Sequence, residues 1–138
     1  MTELTEITHY MQQALAQDNS GHSVDHINRV VALANRILLN EPSADAFVVR
    51  AAALLHDVYD DKLFNTESEA LEAKANLIQF LQHLEITQDT IDHIIAIIDN
   101  MSWSKSLEGQ AKPLDINGRI VQDADRLEAV GAIAVTLS

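Results

Sequence analysis

Apolar residues recur along this chain at three- and four-residue steps, the spacing that lines one face of an α-helix. Nowhere do they alternate with polar residues over the length of a strand. Only four glycines and two prolines interrupt the pattern, falling between periodic segments. The period predicts a first helix through Leu4, Ile7, Met11 and Leu15, broken at Asn19-Ser20-Gly21. Ser23 stands where an N-cap would, ahead of Ile27, Val30, Val31, Ala34, Ile37 and Leu38. Pro42 biases Glu41 out of the α region and ends that helix. Ser43 or Asp45 can cap a third, with Phe47, Val48, Ala51, Ala52, Leu54 and Leu55 on its apolar side. A fourth runs from about Thr66 to His83 through Leu71, Leu77, Ile78, Phe80 and Leu81. Thr87 opens a fifth, whose isoleucines 91, 94, 95, 97 and 98 would favour a strand on propensity but follow the helical period. After an irregular stretch from Ser102 to Gly118, a last helix starts near Ile120 and carries Leu127, Val130, Ile133 and Val135. The expectation is an all-α bundle of about six helices, without repeats or an interdomain linker.

The 138 residues suit one domain, residues 1–138, and 47% hydrophobic content argues against disorder. The last helical pattern still runs at Ser138 without a Gly or Pro stop, so the domain is expected to lack C-terminal helices. Absence of cysteine excludes disulfides, thiolate metal sites and cysteine nucleophiles. The segment from Met1 to Asn19 has no Lys or Arg and no continuous apolar core, unlike a signal peptide, and no apolar run approaches a membrane span. A soluble, cytoplasmic protein is the expectation. Nine Lys and Arg against twenty-one Asp and Glu leave a net charge of −12, which disfavours tracking along nucleic acid and binding to anionic membranes. A small phosphorylated substrate would need a cation between it and such a protein.

Four ionisable residues fall where helices should bury hydrocarbon. His26 opens the apolar face of the second helix, His56-Asp57 ends the run Ala51-Ala-Ala-Leu-Leu55, and Asp125 lies between the inward candidates Val121 and Leu127. An unpartnered buried carboxylate costs several kcal/mol, so Asp57 and Asp125 need a cation or strong donors. Singly, each residue has an ordinary explanation, as a satisfied core histidine or a cap. Two imidazoles and two carboxylates converging inside a helical bundle would be satisfied together by one divalent metal ion. Nitrogen and oxygen donors without thiolate favour octahedral Mn²⁺, Mg²⁺, Fe²⁺, Co²⁺ or Ni²⁺ with open positions over a closed zinc site.

These residues stand in Asp25-His-Ile-Asn-Arg-Val30, Ala53-Leu-Leu-His56-Asp57 and Asp123-Ala-Asp-Arg-Leu127. The order His, His-Asp, distant Asp resembles the HD-domain metal-dependent phosphohydrolase superfamily over nearly the whole chain, and most of all its small stand-alone bacterial members. The resemblance implies His26, His56, Asp57 and Asp125 as metal ligands, with a metal-activated water attacking a phosphoryl group. The segment Val58-Tyr-Asp60-Asp61-Lys62 is similar to the His-Asp-x-x-acid-Asp pattern of hydrolases that remove pyrophosphate from guanosine alarmones. That similarity makes Asp60 or Asp61 a base or water-positioner, against the plainer reading of a solvated loop. Lys62 and Lys105 are the leading phosphate ligands, with Arg29 and His22 as further substrate candidates. Arg29, one turn after His26, could instead reach a structural carboxylate such as Asp123, and His93 is read as packing or capping. Asp123 is assigned to the surroundings of the ligands or to a loop cap, and Tyr59 and Trp103 to packing or base stacking. The expected function is a nucleotide pyrophosphohydrolase acting on a small nucleotide-like substrate. The alternatives are a 5′-nucleotidase or phosphodiesterase of the same chemistry, or a metal- and nucleotide-binding module without turnover.

Overall fold

Thr2, Asp45, Thr66 and Thr87 each begin a helix by accepting a backbone N–H from three residues ahead with their own side-chain oxygen. The computed structural model describes residues 2–16, 21–101, 109 and 111–137, with side chains as far as residue 131. Six α-helices appear among them: α1 Glu3–Ala14, α2 His22–Leu38, α3 Ala46–Leu55, α4 Glu67–His83, α5 Gln88–Asn100 and α6 Ile116–Leu137. A 3₁₀ turn, Asp61–Leu63, follows α3. No strand occurs among the described residues, so the fold is all-α as the apolar period requires. No described helix is long and apolar enough to cross a membrane.

The short helix α3 organises the rest. Val48, Val49 and every residue from Ala51 to Leu55 are buried, and α1, α2, α5 and α6 all pack on it. Its alanines let those neighbours approach closely, while Leu55, Ile27, Ile94 and Val121 fill the space between them. Helices α2 and α6 also pack directly on each other, and α4 lies outside against α5 and the 3₁₀ turn.

Three local features differ from the sequence expectation. Helix α2 starts at His22, ahead of Ser23, because Gly21 takes up a left-handed conformation (φ 75°) open to glycine and serves as N-cap. In α4 the buried stripe is Ala70, Leu77 and Leu81, and Leu71, one residue off that stripe, is 59% exposed. Helix α6 begins at Ile116, where Asp115 accepts the Gly118 N–H at 3.0 Å. Its inward stripe therefore reads Ile120, Val121, Ala124 and Glu128, which leaves Leu127 (54%) and Val130 (63%) exposed. The apolar period predicts Leu127 inward, and the actual phase of the helix puts an acid there instead.

A polar chain ties the starts of α3 and α6 together. Asp45, the cap of α3, donates its backbone N–H to Asn117 Oδ1 at 2.7 Å, and Asn117 Nδ2 reaches Asp115 Oδ2 at 3.3 Å. His93 of α5 pairs with the same Asp115 oxygen at 2.6 Å. This alignment matters because both helices carry site residues further along.

Candidate metal centre

His26 projects from the second turn of α2, His56 caps the C-terminal end of α3 with Asp57 directly after it, and Asp125 lies midway along α6. The ligand atoms of His26, His56 and Asp57 all lie within 4.8 Å of one another. Asp125 Oδ1 stands between the imidazoles, 3.1 Å from His26 Nε2 and 3.3 Å from His56 Nε2. Asp57 places Oδ2 3.8 Å from His26 Nε2 and Oδ1 3.5 Å from His56 Nε2. The structure thus brings together the four residues that the sequence sets apart by up to 99 positions.

Each imidazole is anchored through Nδ1, which directs Nε2 inward. His56 Nδ1 donates to the Ala53 carbonyl at 2.8 Å, and His26 Nδ1 donates to Glu128 Oε2 at 2.7 Å. The His56 side chain is 5% exposed, and its Nε2 is buried without any hydrogen-bond partner among the described residues. Asp125 Oδ1 is near enough for an ion pair with it but lacks hydrogen-bond geometry. An orphaned buried nitrogen is costly, and one aimed at a second imidazole and two carboxylates is what a divalent cation would satisfy. The residues therefore fit a metal ion. His26, Asp57 and Asp125 keep 26%, 29% and 34% side-chain exposure, so the cluster is closed on the His56 side and open to solvent on the other.

The electrostatics agree with a cation-seeking site. The hydrogen bond that Asp125 accepts from His26, against the cost of desolvation and with help from Glu128 and Asp57, lifts His26 to about 9. Burial works against a charged His56, yet the adjacent Asp125 and Asp57 outweigh it and raise its pKa too. Burial opposes ionisation of Asp125, but His26 and His56 together hold its carboxyl well below the usual range. Positive charge at the centre of this cluster, as a proton or a metal ion, is what both carboxylates favour.

Asp60 accepts the Lys62 N–H at 3.0 Å and so caps the 3₁₀ turn directly after the His-Asp doublet. Asp61 and Lys62 are exposed in that turn, and Asp61 borders an open depression of about 450 Å³ with Phe64, Asn65, Thr66 and Glu67. His22 is exposed one turn before His26. Arg29 donates its Nε to Glu128 Oε1 at 2.6 Å, a structural carboxylate other than the expected Asp123. Asp123 is exposed within α6, so it caps no loop, and Tyr59 donates to Asp99 Oδ1 at 2.8 Å beside a Lys74–Asp99 ion pair of 2.7 Å. Lys105 and Trp103 lie outside the described residues. Sequence reasoning missed Glu128 as the partner of His26, although it stands one helical turn after Asp125 and in line with the buried Val121 and Ala124.

The HD domain family model matches residues 23–130, a span that contains the histidine, the doublet and the distant aspartate. The chain belongs to the HD domain family. This HD domain is 35% identical over 135 residues to the uncharacterized protein YpgQ of Bacillus subtilis (strain 168), across 98% of its own length and 64% of YpgQ. An uncharacterized protein of Acanthamoeba polyphaga mimivirus is 30% identical over 146 residues, with 58% of that protein covered. Among solved structures it resembles a protein of Lactobacillus plantarum, with 44% identity and a TM-score of 0.78 over 94% of this chain and 58% of the other. It is also similar to YpgQ crystallised in complex with ADP, with 36% identity and a TM-score of 0.68 over 91% of this chain and 57% of the other. The chain spans 58–64% of the length of these curated relatives.

Proposed function

We propose that this HD domain is a cytoplasmic, metal-dependent phosphohydrolase that hydrolyses a phosphoanhydride of a small nucleotide, releasing pyrophosphate and a nucleoside monophosphate. The observation that carries the reading is His56 Nε2, buried without a hydrogen-bond partner among the described residues and facing His26, Asp57 and Asp125 on the side open to solvent. The ADP bound by YpgQ supports a nucleotide as ligand.

His26, His56, Asp57 and Asp125 would hold one divalent ion, with Mn²⁺ the first to test. Such an ion, when bound, supplies a more acidic water and neutralises charge on the phosphoryl group. The chain's own part is to fix the ligand nitrogens and carboxylates, to close the His56 side against solvent and to handle the proton. Asp61, exposed in the turn after the doublet, accepts that proton from the attacking water, and Asp60 holds the turn in shape through its bond to the Lys62 N–H. Water oxygen bonds to phosphorus as the bridging P–O bond breaks, and the proton on Asp61 passes to the leaving oxygen. Lys62, Lys105 and His22 are assigned to the remaining phosphates, and Arg29 to Glu128.

Purified protein with Mn²⁺ should release pyrophosphate and a monophosphate from nucleoside triphosphates in a panel of nucleotides. Asp57→Ala, which removes a ligand, should abolish that release. Inorganic phosphate freed from monophosphates would mark a 5′-nucleotidase, and cleavage of cyclic nucleotides a phosphodiesterase. A metal-loaded protein that binds nucleotide and hydrolyses none of the panel would be a binding module, and the enzymatic reading would fall.

A further inference from the structure

We propose that Glu128, clamped by Arg29, is a positioning residue for the metal centre: it fixes His26 in the tautomer that turns Nε2 toward the ion. The inference rests on the metal-site reading above and is independent of which reaction, if any, the site performs. Both oxygens of Glu128 are committed, Oε2 to His26 Nδ1 at 2.7 Å and Oε1 to Arg29 Nε at 2.6 Å. The side chain is 7% exposed and lines up with the buried apolar residues Ile120, Val121 and Ala124 of α6. Packing alone would be served better by a hydrocarbon there, because a buried carboxylate without its donors costs several kcal/mol.

The two histidines differ in what holds them. His56 leans on a neutral carbonyl of its own helix, three residues back, so its orientation comes with the end of α3. His26 is held from another helix, across 102 positions of sequence, by an ionised partner. Hydrogen bonds to a carboxylate are stronger than those to a carbonyl, and such a partner makes the opposite ring nitrogen a better metal donor. Arg29 lies one turn after His26 on α2, and Glu128 one turn after Asp125 on α6. The ring Arg29–Glu128–His26 therefore closes between the two helices, so that α6 supplies one ligand, Asp125, and orients another.

Glu128→Gln keeps the size of the side chain and loses the charge. Calorimetric titration with Mn²⁺ at matched pH should show affinity about 10- to 100-fold weaker than wild type. Arg29→Ala should weaken it in the same direction, toward the tenfold end. In Zn²⁺-loaded, ¹⁵N-labelled wild-type protein, the His26 ring should carry its proton on Nδ1 and the metal on Nε2, and Glu128→Gln should disturb that pattern while His56 keeps its own. If the α2–α6 ion pair were purely structural, its loss would lower the melting temperature and move neither readout. A folded Glu128→Gln that binds Mn²⁺ as wild type does, with the His26 pattern intact, overturns the inference. Should that variant not fold, unchanged Mn²⁺ affinity in Arg29→Ala overturns it equally. Neither measurement uses substrate, so a protein that binds Mn²⁺ tightly and hydrolyses nothing defeats the proposed reaction alone, and equal affinities in wild type and variant defeat the role of Glu128 alone.

Discussion

His26 and Asp125 stabilise each other's charged forms, and that coupling makes the metal-free protein sensitive to pH in a definite direction. His26 is held up to about 9, so its contribution to stability is complete below the ordinary histidine value near 6.5 and fades as pH rises through about 9. Asp125 is depressed, so its contribution is complete above its ordinary value of 3.8 and fades as pH falls through the lowered one. Metal-free protein should therefore have a lower urea midpoint at about pH 10 than at about pH 6, and His26→Gln should shrink the difference. An ion must also displace the His26 proton. Mn²⁺ binding at neutral pH should release protons, that of His26 among them, countable by calorimetry in buffers of different ionisation enthalpy. Of these residues, His26, His56, Asp57 and Asp125 were legible as ionisable groups on apolar faces. Glu128 was not, because Leu127 beside it had the stronger claim to an inward position.

At the scale of elements, the starts of helices were the easiest features to read and the phase of α6 the hardest. Asp45, Thr66 and Thr87 cap as their positions indicate, since a side-chain oxygen reaching the N–H three residues ahead is a local interaction. The start of α2 depends on the left-handed backbone at Gly21, which turns no side chain toward the helix and leaves only the glycine itself as a signal. The phase of α6 follows from Asp115 and Asn117, which meet His93 and the Asp45 backbone across long stretches of sequence. Asn117→Ala should leave the Asp45 N–H without its partner and cost about 1–3 kcal/mol in chemical denaturation. Because α3 and α6 carry His56 and Asp125 beyond this joint, the same variant should also weaken Mn²⁺ binding.

For the molecule as a whole, the net charge of −12 and the candidate metal centre belong to one account. Residues of α2 and α6 meet those at the C-terminal end of α3 in one cluster, so an ion bound there would cross-link the three helices. Mn²⁺ at 100 times its Kd should add about 2.7 kcal/mol and raise the melting temperature by roughly 5–10 °C, an increase that a chelator reverses. A melting temperature indifferent to Mn²⁺ would show that the four residues do not bind it as a folded unit. The amino-acid sequence by itself determined the all-α architecture, most helix boundaries and the types of donor available, because apolar period, caps and the absence of thiol are properties of short stretches of chain. Only the tertiary structure decided that the donors meet, that His56 Nε2 has no hydrogen-bond partner among the described residues, and that Glu128 and Arg29 stand behind His26. Those facts depend on the rotation of α6 against α2, which is set by packing between residues about a hundred positions apart.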